Sequence, residues 1–294
     1  MHSLQTLLSS LVFGAIASAQ TTIHATPHDS YSSSVGVLGC KINTNRVAYW
    51  PMAIDCTNIC VQVTYNSRSV YLLRIDQSDG AYDMSYDAWN YLLTGEGAGQ
   101  TPTTGGATEM TYQNVEPSNC ASLINTPGNK LPLSAPNSMD FVASCLQQSS
   151  SWVANNYLMY NIADPICSLG YDEPCTLDLN VSNQPSCPHT LGLETALTSN
   201  PVYNIQYQTG NKVLASTNQV VAAAGSSPSQ AAPAPAAPAA SSAALAAPST
   251  APAAPSAGHP AVKTRSTYLL REMLSDRKRR QVRREKSRQN RLEK

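Results

Sequence analysis

The stretch that most constrains the fold is residues 68–93, RSVYLLRIDQSDGAYDMSYDAWNYLL. Its first part alternates β-branched, aromatic and apolar residues, a pattern that predicts a strand. A polar run from Asp76 to Gly80 then predicts a turn, because these residue types favour tight backbone bends. A short helix is expected next, with Asp83 and Ser85 marking its start, Asp83 as a capping acid, and Gly95 as its C-terminal stop. The sequence therefore predicts a strand, an acidic turn and a capped helix in direct succession.

This succession resembles the central motif of double-psi β-barrel domains, the group that contains rare lipoprotein A-like proteins, expansins and family 45 endoglucanases. The matching residues are the strand at 70–75, Asp76, the run Asp83-Met84-Ser85 and the helix at 88–92. In style the chain is closest to small secreted fungal proteins with this barrel. The resemblance implies a mainly β fold: a six-stranded double-psi β-barrel with a disulfide-rich insertion and short helices, followed by a disordered tail.

The N-terminus predicts secretion. Residues 1–19 have an apolar core and end in the small-residue triplet Ala17-Ser18-Ala19, as a cleavable signal peptide does. A buried N-terminal helix is the alternative. No later segment is apolar enough to span a membrane, so we expect a secreted protein located in the extracellular space or the cell wall.

Eight cysteines follow the signal, and an even number in a secreted chain predicts four disulfides whose pairing stays open. A metal site is the alternative, but no paired Cys/His motif accompanies the closely spaced Cys56 and Cys60, so neither a metal nor another cofactor is expected. Asn180 begins an Asn-Val-Ser glycosylation motif. The cysteines are Cys40, Cys56, Cys60, Cys120, Cys145, Cys167, Cys175 and Cys187.

We expect one barrel domain over residues 35–216. The segment 202–207 alternates cleanly and is expected to return as the strand that closes the barrel. Between the motif and that strand, the pattern predicts a helix at 137–148 and strands at 157–162 and 176–181, which would form a long insertion. A separate second domain is the alternative.

The end of the chain divides into two parts. Residues 225–262 are rich in Ala, Pro and Ser and are expected to be a disordered linker. Residues 265–294 form a basic tail with twelve Lys or Arg and four Asp or Glu. Three interpretations are open: a tail that is solvated or is removed by proteolysis at Lys278-Arg279-Arg280, an artefact of gene prediction, or an adhesive polycation.

The basic tail also resembles the basic region of fungal leucine-zipper transcription factors. A basic region of that kind acts with a heptad zipper behind it, and none follows here. A secretory signal and disulfides also argue against the nucleus. We therefore expect no nucleic-acid partner.

The resemblance implies that Asp76 could act as a general acid or base. Two elements of the active families differ: Ser78-Asp79-Gly80 replaces their Gly-Pro-Phe, and their Thr-x-Tyr-Gly element is absent. We predict Trp50, Asp79 and Tyr82 as binding residues, with Trp50 exposed beside Pro51. Trp89 is predicted to be structural, because a Trp at helical spacing is more often core.

Two functions are therefore expected in order of preference. The first is a monomeric, non-catalytic protein that binds extracellular polysaccharide or a host protein, as expansin-like and effector-like proteins do. The second is an enzyme that cleaves polysaccharide by lysis or hydrolysis with Asp76. Hydrolysis of a glycosidic bond normally needs two carboxyl groups about 5–10 Å apart, so a second acid facing Asp76 would distinguish the two.

Overall fold

A computed structural model describes residues 20–224. The predicted signal peptide at 1–19, the linker at 225–262 and the basic tail at 265–294 lie outside these residues. All statements below concern the described part of the chain.

Six strands close into a barrel in the order β1-β5-β2-β4-β3-β6. β1 pairs with β5 in parallel and with β6 in antiparallel fashion, which closes the ring. β2 and β4 also run parallel. This topology confirms the predicted mainly β fold with a six-stranded double-psi barrel. The strands are β1 (Thr21–His28), β2 (Val47–Trp50), β3 (Cys60–Tyr65), β4 (Arg68–Gln77), β5 (Tyr82–Ser85) and β6 (Thr108–Asn114).

The strand that closes the barrel is β1, which precedes the predicted start of the domain at residue 35. The expectation that 202–207 closes the barrel is wrong. Tyr203–Ile205 is instead β10, which pairs with β11 (Lys212–Leu214) in a separate sheet that β12 (Val220–Ala222) completes. The chain after residue 114 therefore follows the last barrel strand rather than interrupting the barrel.

The barrel interior is filled by alternate residues from all six strands, as the two-residue period of a strand requires. The largest of these side chains, Trp50, is 1% exposed. The interior residues from the strands are Ile23, Ala25, Ala48, Trp50, Val61, Val63, Val70, Leu72, Met84 and Met110.

Helix α1 (Tyr86–Thr94) follows β5 directly and covers one end of the barrel. Gly95 ends it in a left-handed conformation with φ 89°, as the sequence predicts. Trp89 is fully buried in the barrel cluster, so its predicted place in the core is correct. Of the two residues predicted to mark the start of the helix, Ser85 is the N-cap residue, whereas Asp83 lies on β5 and does not cap the helix.

The other end of the barrel is where β2, β4 and β6 finish and β1, β3 and β5 begin. We call this end the mouth. It carries the loop 51–59 between β2 and β3 and the loop 78–81 between β4 and β5.

Residues 115–175 build a second layer against the outer face of β2 and β4. Val47 and Tyr49 of β2 and Leu73 and Ile75 of β4 pack into one core with this layer. The layer contains a sheet in the order β7-β8-β9. Its elements are β7 (Leu131–Ser134), α2 (Met139–Leu146), α3 (Trp152–Asn155), β8 (Tyr157–Ile162) and β9 (Gly170–Cys175), with 3-10 helices at Pro117–Leu123 and Pro127–Asn129.

A third 3-10 helix, Gly39–Lys41, lies between β1 and β2. Helix α2 and strand β8 agree with the expected helix at 137–148 and strand at 157–162. The strand expected at 176–181 is absent from the described elements, and β9 lies just before that position.

Four disulfides form, as predicted, and no cysteine among the described residues is free. Three of them join the barrel and its loops to the layer that follows β6, so they lock the two parts together. The pairs are Cys40–Cys167, Cys56–Cys145, Cys60–Cys120 and Cys175–Cys187. Within residues 20–224, no helix combines the length and the apolar character that a membrane span needs.

Candidate functional site

Asp76 lies near the end of β4 and is 9% exposed. Its Oδ2 accepts a hydrogen bond from Ser32 Oγ at 2.5 Å. Its Oδ1 accepts from the backbone N–H groups of Ser34 and Gln77, each at 2.8 Å. Both carboxylate oxygens are therefore engaged, and two of the three donors belong to the segment that follows β1. This arrangement anchors that segment to the barrel wall.

Tyr49 separates Asp76 from the next acid along the sheet. In the register of the strands, Tyr49 on β2 lies opposite Asp76 on β4 and opposite Asp83 on β5. The Tyr49 side chain is 4% exposed, and its ring lies 4.8 Å from the ring of His28. Burial raises the pKa of Tyr49 far above its usual value, and the charge of Asp76 adds to the effect. The phenol is therefore neutral at ordinary pH.

Asp83 accepts a hydrogen bond from the hydroxyl of Thr26, its register partner on β1. This bond joins β5 to β1 and replaces the capping role that the sequence predicts. Adjacent strands are about 4.8 Å apart, so Asp76 and Asp83 stand roughly 10 Å apart at the backbone with a buried Tyr between them. Such a pair has no open groove between its members in which a glycan could lie.

A narrow cavity beside Tyr49 reinforces this conclusion. Its lining includes His28, Asp87 and Asn204 but neither Asp76 nor Asp83. The volume that a water molecule can occupy is about 10 Å³, which is enough for about one water molecule. A sugar ring cannot enter there.

The mouth holds the predicted binding residues. Contrary to the prediction, Trp50 is buried, because two tyrosines cover it. Its ring centroid lies 5.5 Å from that of Tyr82 and 4.4 Å from that of Tyr112. Tyr82 and Tyr112 are half-buried and lie 6.3 Å apart. Together these three rings form what we call the aromatic mouth.

Asp79 is exposed in the loop 78–81 beside the aromatic mouth. The backbone N–H of Ser78 donates to the carbonyl oxygen of Trp50 at 2.9 Å, so the loop is tied to the end of β2. The structure thus brings Trp50, Asp79 and Tyr82 to one end of the barrel. Tyr112 is the residue that sequence reasoning missed, and the pairing of β6 with β1 and β3 places it there.

Two further predictions concern sites outside the mouth. Asn180 is exposed, as a glycosylation acceptor must be, and its modification stays a prediction. Within residues 20–224, no three His, Cys, Asp or Glu side chains are grouped so that they could hold a metal ion.

The comparisons with known proteins agree with the barrel. The family model of cerato-platanin matches residues 30–123, about a third of the chain, and this stretch contains β2 to β6. A search of curated proteins finds no match. The segment that builds most of the barrel is thus similar to cerato-platanin, and the chain is, as the sequence predicts, a disulfide-stabilised double-psi β-barrel protein.

Proposed function

We propose that this is a secreted, monomeric, non-catalytic protein that binds extracellular polysaccharide at the aromatic mouth. The observation that carries the proposal is the pair of half-exposed rings, Tyr82 and Tyr112, held over the buried Trp50. Aromatic rings offer a flat apolar face together with a polar tip, which suits the two sides of a sugar ring. The exposed Asp79 and the backbone of the loop 78–81 supply polar groups beside these faces.

Rigidity supports this role. Trp50 is packed in the barrel core, and the loop 78–81 is tied to its carbonyl oxygen, so the two tyrosines need little further ordering when a ligand binds. The similarity to cerato-platanin and to expansin-like barrels fits a binder. The four disulfides fit a protein that works in an oxidising extracellular compartment.

Asp76 supports a role without catalysis. A general acid or base must reach the substrate, whereas both oxygens of Asp76 are held by Ser32, Ser34 and Gln77 at the outer wall. The nearest acid in the sheet register, Asp83, is bound to Thr26. We therefore rank cleavage of polysaccharide below binding.

The test is co-sedimentation of the secreted protein with insoluble chitin, cellulose and β-glucan. We expect retention by at least one of them, and we expect Tyr82→Ala and Tyr112→Ala each to weaken it by roughly 3- to 10-fold. Tyr71→Ala is the matched control, because Tyr71 is 37% exposed on the barrel but lies outside the mouth.

If Tyr82→Ala and Tyr112→Ala are both retained as well as wild type, the polysaccharide binds at another surface of the protein. The same incubations are assayed for released reducing ends. Release that Asp76→Asn abolishes would establish the enzyme instead of the binder.

A further inference from the structure

Arg74 is a buried cation in the wall of the mouth. It lies on β4 and is 5% exposed. Its Nη1 contacts the sulfur of Met52 at 3.4 Å, and its guanidinium carbon lies 5.9 Å from the centroid of the Trp50 ring. Among residues 20–224, no carboxylate oxygen lies within 4.0 Å of its nitrogens, and its Nε has no hydrogen-bond partner.

Such an arrangement is costly for the empty protein. A buried hydrogen-bond donor without a partner lowers the free energy of unfolding by about 1–3 kcal/mol, and by more when the donor is charged. Burial lowers the pKa of Arg74, and nearby Asp55 partly opposes the change. An arginine nevertheless stays protonated in proteins. The positive charge is therefore present at this position, and within residues 20–224 no carboxylate lies close enough to form an ion pair with it.

The unpartnered Nε belongs to a residue that lines an open cavity of about 380 Å³. One side of this cavity is the loop after β2, with Met52 and Asp55, and the other is α2 and the residues after it, with Phe141 and Gln148. Small-molecule sites typically have volumes of about 300–1,000 Å³ and combine apolar walls with a few polar groups. The cavity has the size and the mixed lining of such a site.

Asp55 is the one negatively charged residue in the lining, and its charge is already engaged. Its Oδ1 accepts from the backbone N–H groups of Thr57 and Asn58 at 2.6 and 2.8 Å, and its Oδ2 accepts from Asn58 Nδ2 at 3.1 Å. Burial raises the pKa of Asp55, but these three bonds and, to a smaller extent, the charge of Arg74 lower it by more, so the net change is downward. Asp55 thus uses its hydrogen bonds to stabilise its own loop and forms no direct ion pair with Arg74.

We propose that this cavity binds a small carboxylate, with a carboxylate oxygen paired with the Arg74 guanidinium and the rest of the ligand lying against Phe141 and Met52. A charge-assisted hydrogen bond is roughly twice as strong as a neutral one. A neutral ligand of the same shape would leave the buried charge uncompensated.

The carboxylate can come from a free organic acid or from a uronic-acid unit of a glycan, since both present the same group. The proposal goes beyond polysaccharide binding, because the lining of this cavity contains none of Tyr82, Tyr112 and Asp79 and the ligand need not be a polymer.

The experiment is an NMR titration of the secreted protein that follows the Arg74 Nε–H signal. The probes are sodium acetate, sodium galacturonate and neutral galactose. We expect acetate and galacturonate to shift this signal with saturation, and galactose to leave it unchanged. A larger effect of galacturonate than of acetate indicates a uronic-acid ligand, and equal effects indicate a free small acid.

Three variants test the geometry. Arg74→Gln should abolish the saturable binding that backbone signals of the loop 51–59 report. Asp55→Asn should tighten it by roughly 3- to 10-fold, because a repelling charge is removed, and Gln148→Glu should weaken it by a similar factor. Gln148 is exposed, so its variant keeps the test decisive if Arg74→Gln fails to fold.

Lys212→Gln is the control, since it removes one exposed positive charge from a different sheet. Equal shifts with galactose, or carboxylate binding that neither Asp55→Asn nor Gln148→Glu changes, would overturn the proposal. No saturable shift with any of the three probes would also overturn it.

Discussion

The indole Nε1 of Trp89 donates a hydrogen bond to the carbonyl oxygen of Ala25 over 3.2 Å. The two residues are 64 positions apart, and both are fully buried. The bond joins α1, which covers one end of the barrel, to β1, the strand that closes it. One side chain thus couples the local strand–turn–helix motif to the closure of the whole barrel.

Trp89→Ala should lower the free energy of unfolding by about 3–5 kcal/mol, because it opens a large cavity at the covered end of the barrel. Trp89→Phe should cost about 1–2 kcal/mol, since it keeps most of the packing and loses the N–H donor. Urea denaturation followed by circular dichroism measures both. Trp152→Ala is the control: Trp152 is half-buried on α3, so a smaller loss is expected.

If Trp89→Ala and Trp152→Ala lower the free energy of unfolding equally, Trp89 contributes no more to the stability of the barrel than a half-buried Trp does. Secretion yield offers a second measurement. The Trp89→Ala protein should be secreted poorly, because a marginally stable domain spends more time unfolded.

The sequence predicts the segment from β4 to α1 well because its signals are local. The alternating strand, the polar turn and Gly95 lie within 28 residues, and each determines the backbone conformation of the residues next to it. The structure agrees there on β4, the turn and the end of α1, but it adds the short barrel strand β5 between the turn and the helix, which the sequence does not predict. The resemblance to double-psi barrels rests on the same stretch and gives the correct fold.

The errors come from contacts between distant segments. β1 has a weak pattern, since Ile23 and Ala25 alone among its residues face the interior, and its partner β6 is far along the chain. Trp50 precedes a proline and looks like an exposed turn residue, but Tyr112 from β6 covers it. Asp83 has the sequence context of a cap and instead bonds to Thr26. None of these partners is visible from local sequence.

The disulfides should contribute unequally to stability. Cys56–Cys145 closes a loop of 89 residues and Cys175–Cys187 one of 12. The loss of chain entropy in the unfolded state then predicts contributions of about 4.5 and about 3 kcal/mol, each taken alone. Replacing the first pair by Ala should therefore lower the midpoint of thermal unfolding more than replacing the second pair by Ser.

Calorimetry of the two double variants measures this difference. A larger loss from the short Cys175–Cys187 loop would show that this bond supports specific native contacts rather than chain entropy. The wild-type protein under reducing conditions gives the limit in which all four bonds are lost.

Asp76 should behave as a structural residue. In Asp76→Asn one oxygen becomes an NH₂ group that cannot accept the bonds that Asp76 receives, so the free energy of unfolding should fall by about 1–3 kcal/mol. Asp79→Asn, which changes an exposed acid in the next loop, should stay within about 0.5 kcal/mol of wild type. Urea denaturation at neutral pH compares them, and an Asp76→Asn protein as stable as wild type would contradict the anchoring role.

The buried tyrosines predict a loss of stability in alkali. Burial raises the pKa of Tyr31 and of Tyr49 well above the usual value of 10.0, and Asp76 adds to both shifts. In the unfolded chain both phenols titrate near about 10. The folded state therefore keeps protons that the unfolded state loses. Its stability is fully present below pH 10 and falls as the pH rises above it, by up to about 1.4 kcal/mol per pH unit for each tyrosine.

Two measurements check this prediction. Below pH 10, tyrosine ionisation should not change the midpoint of thermal unfolding, and above pH 10 it should lower the midpoint. The decrease should be smaller for Tyr49→Phe than for wild type. Absorbance at the tyrosinate band should show that the buried phenols ionise together with unfolding rather than before it. Tyr71→Phe is the matched control, because the Tyr71 ring is 37% exposed on the barrel and its loss should leave the slope unchanged. Equal slopes for Tyr49→Phe and wild type would mean that Tyr49 ionises in the folded protein, which its burial between Asp76 and Asp83 forbids.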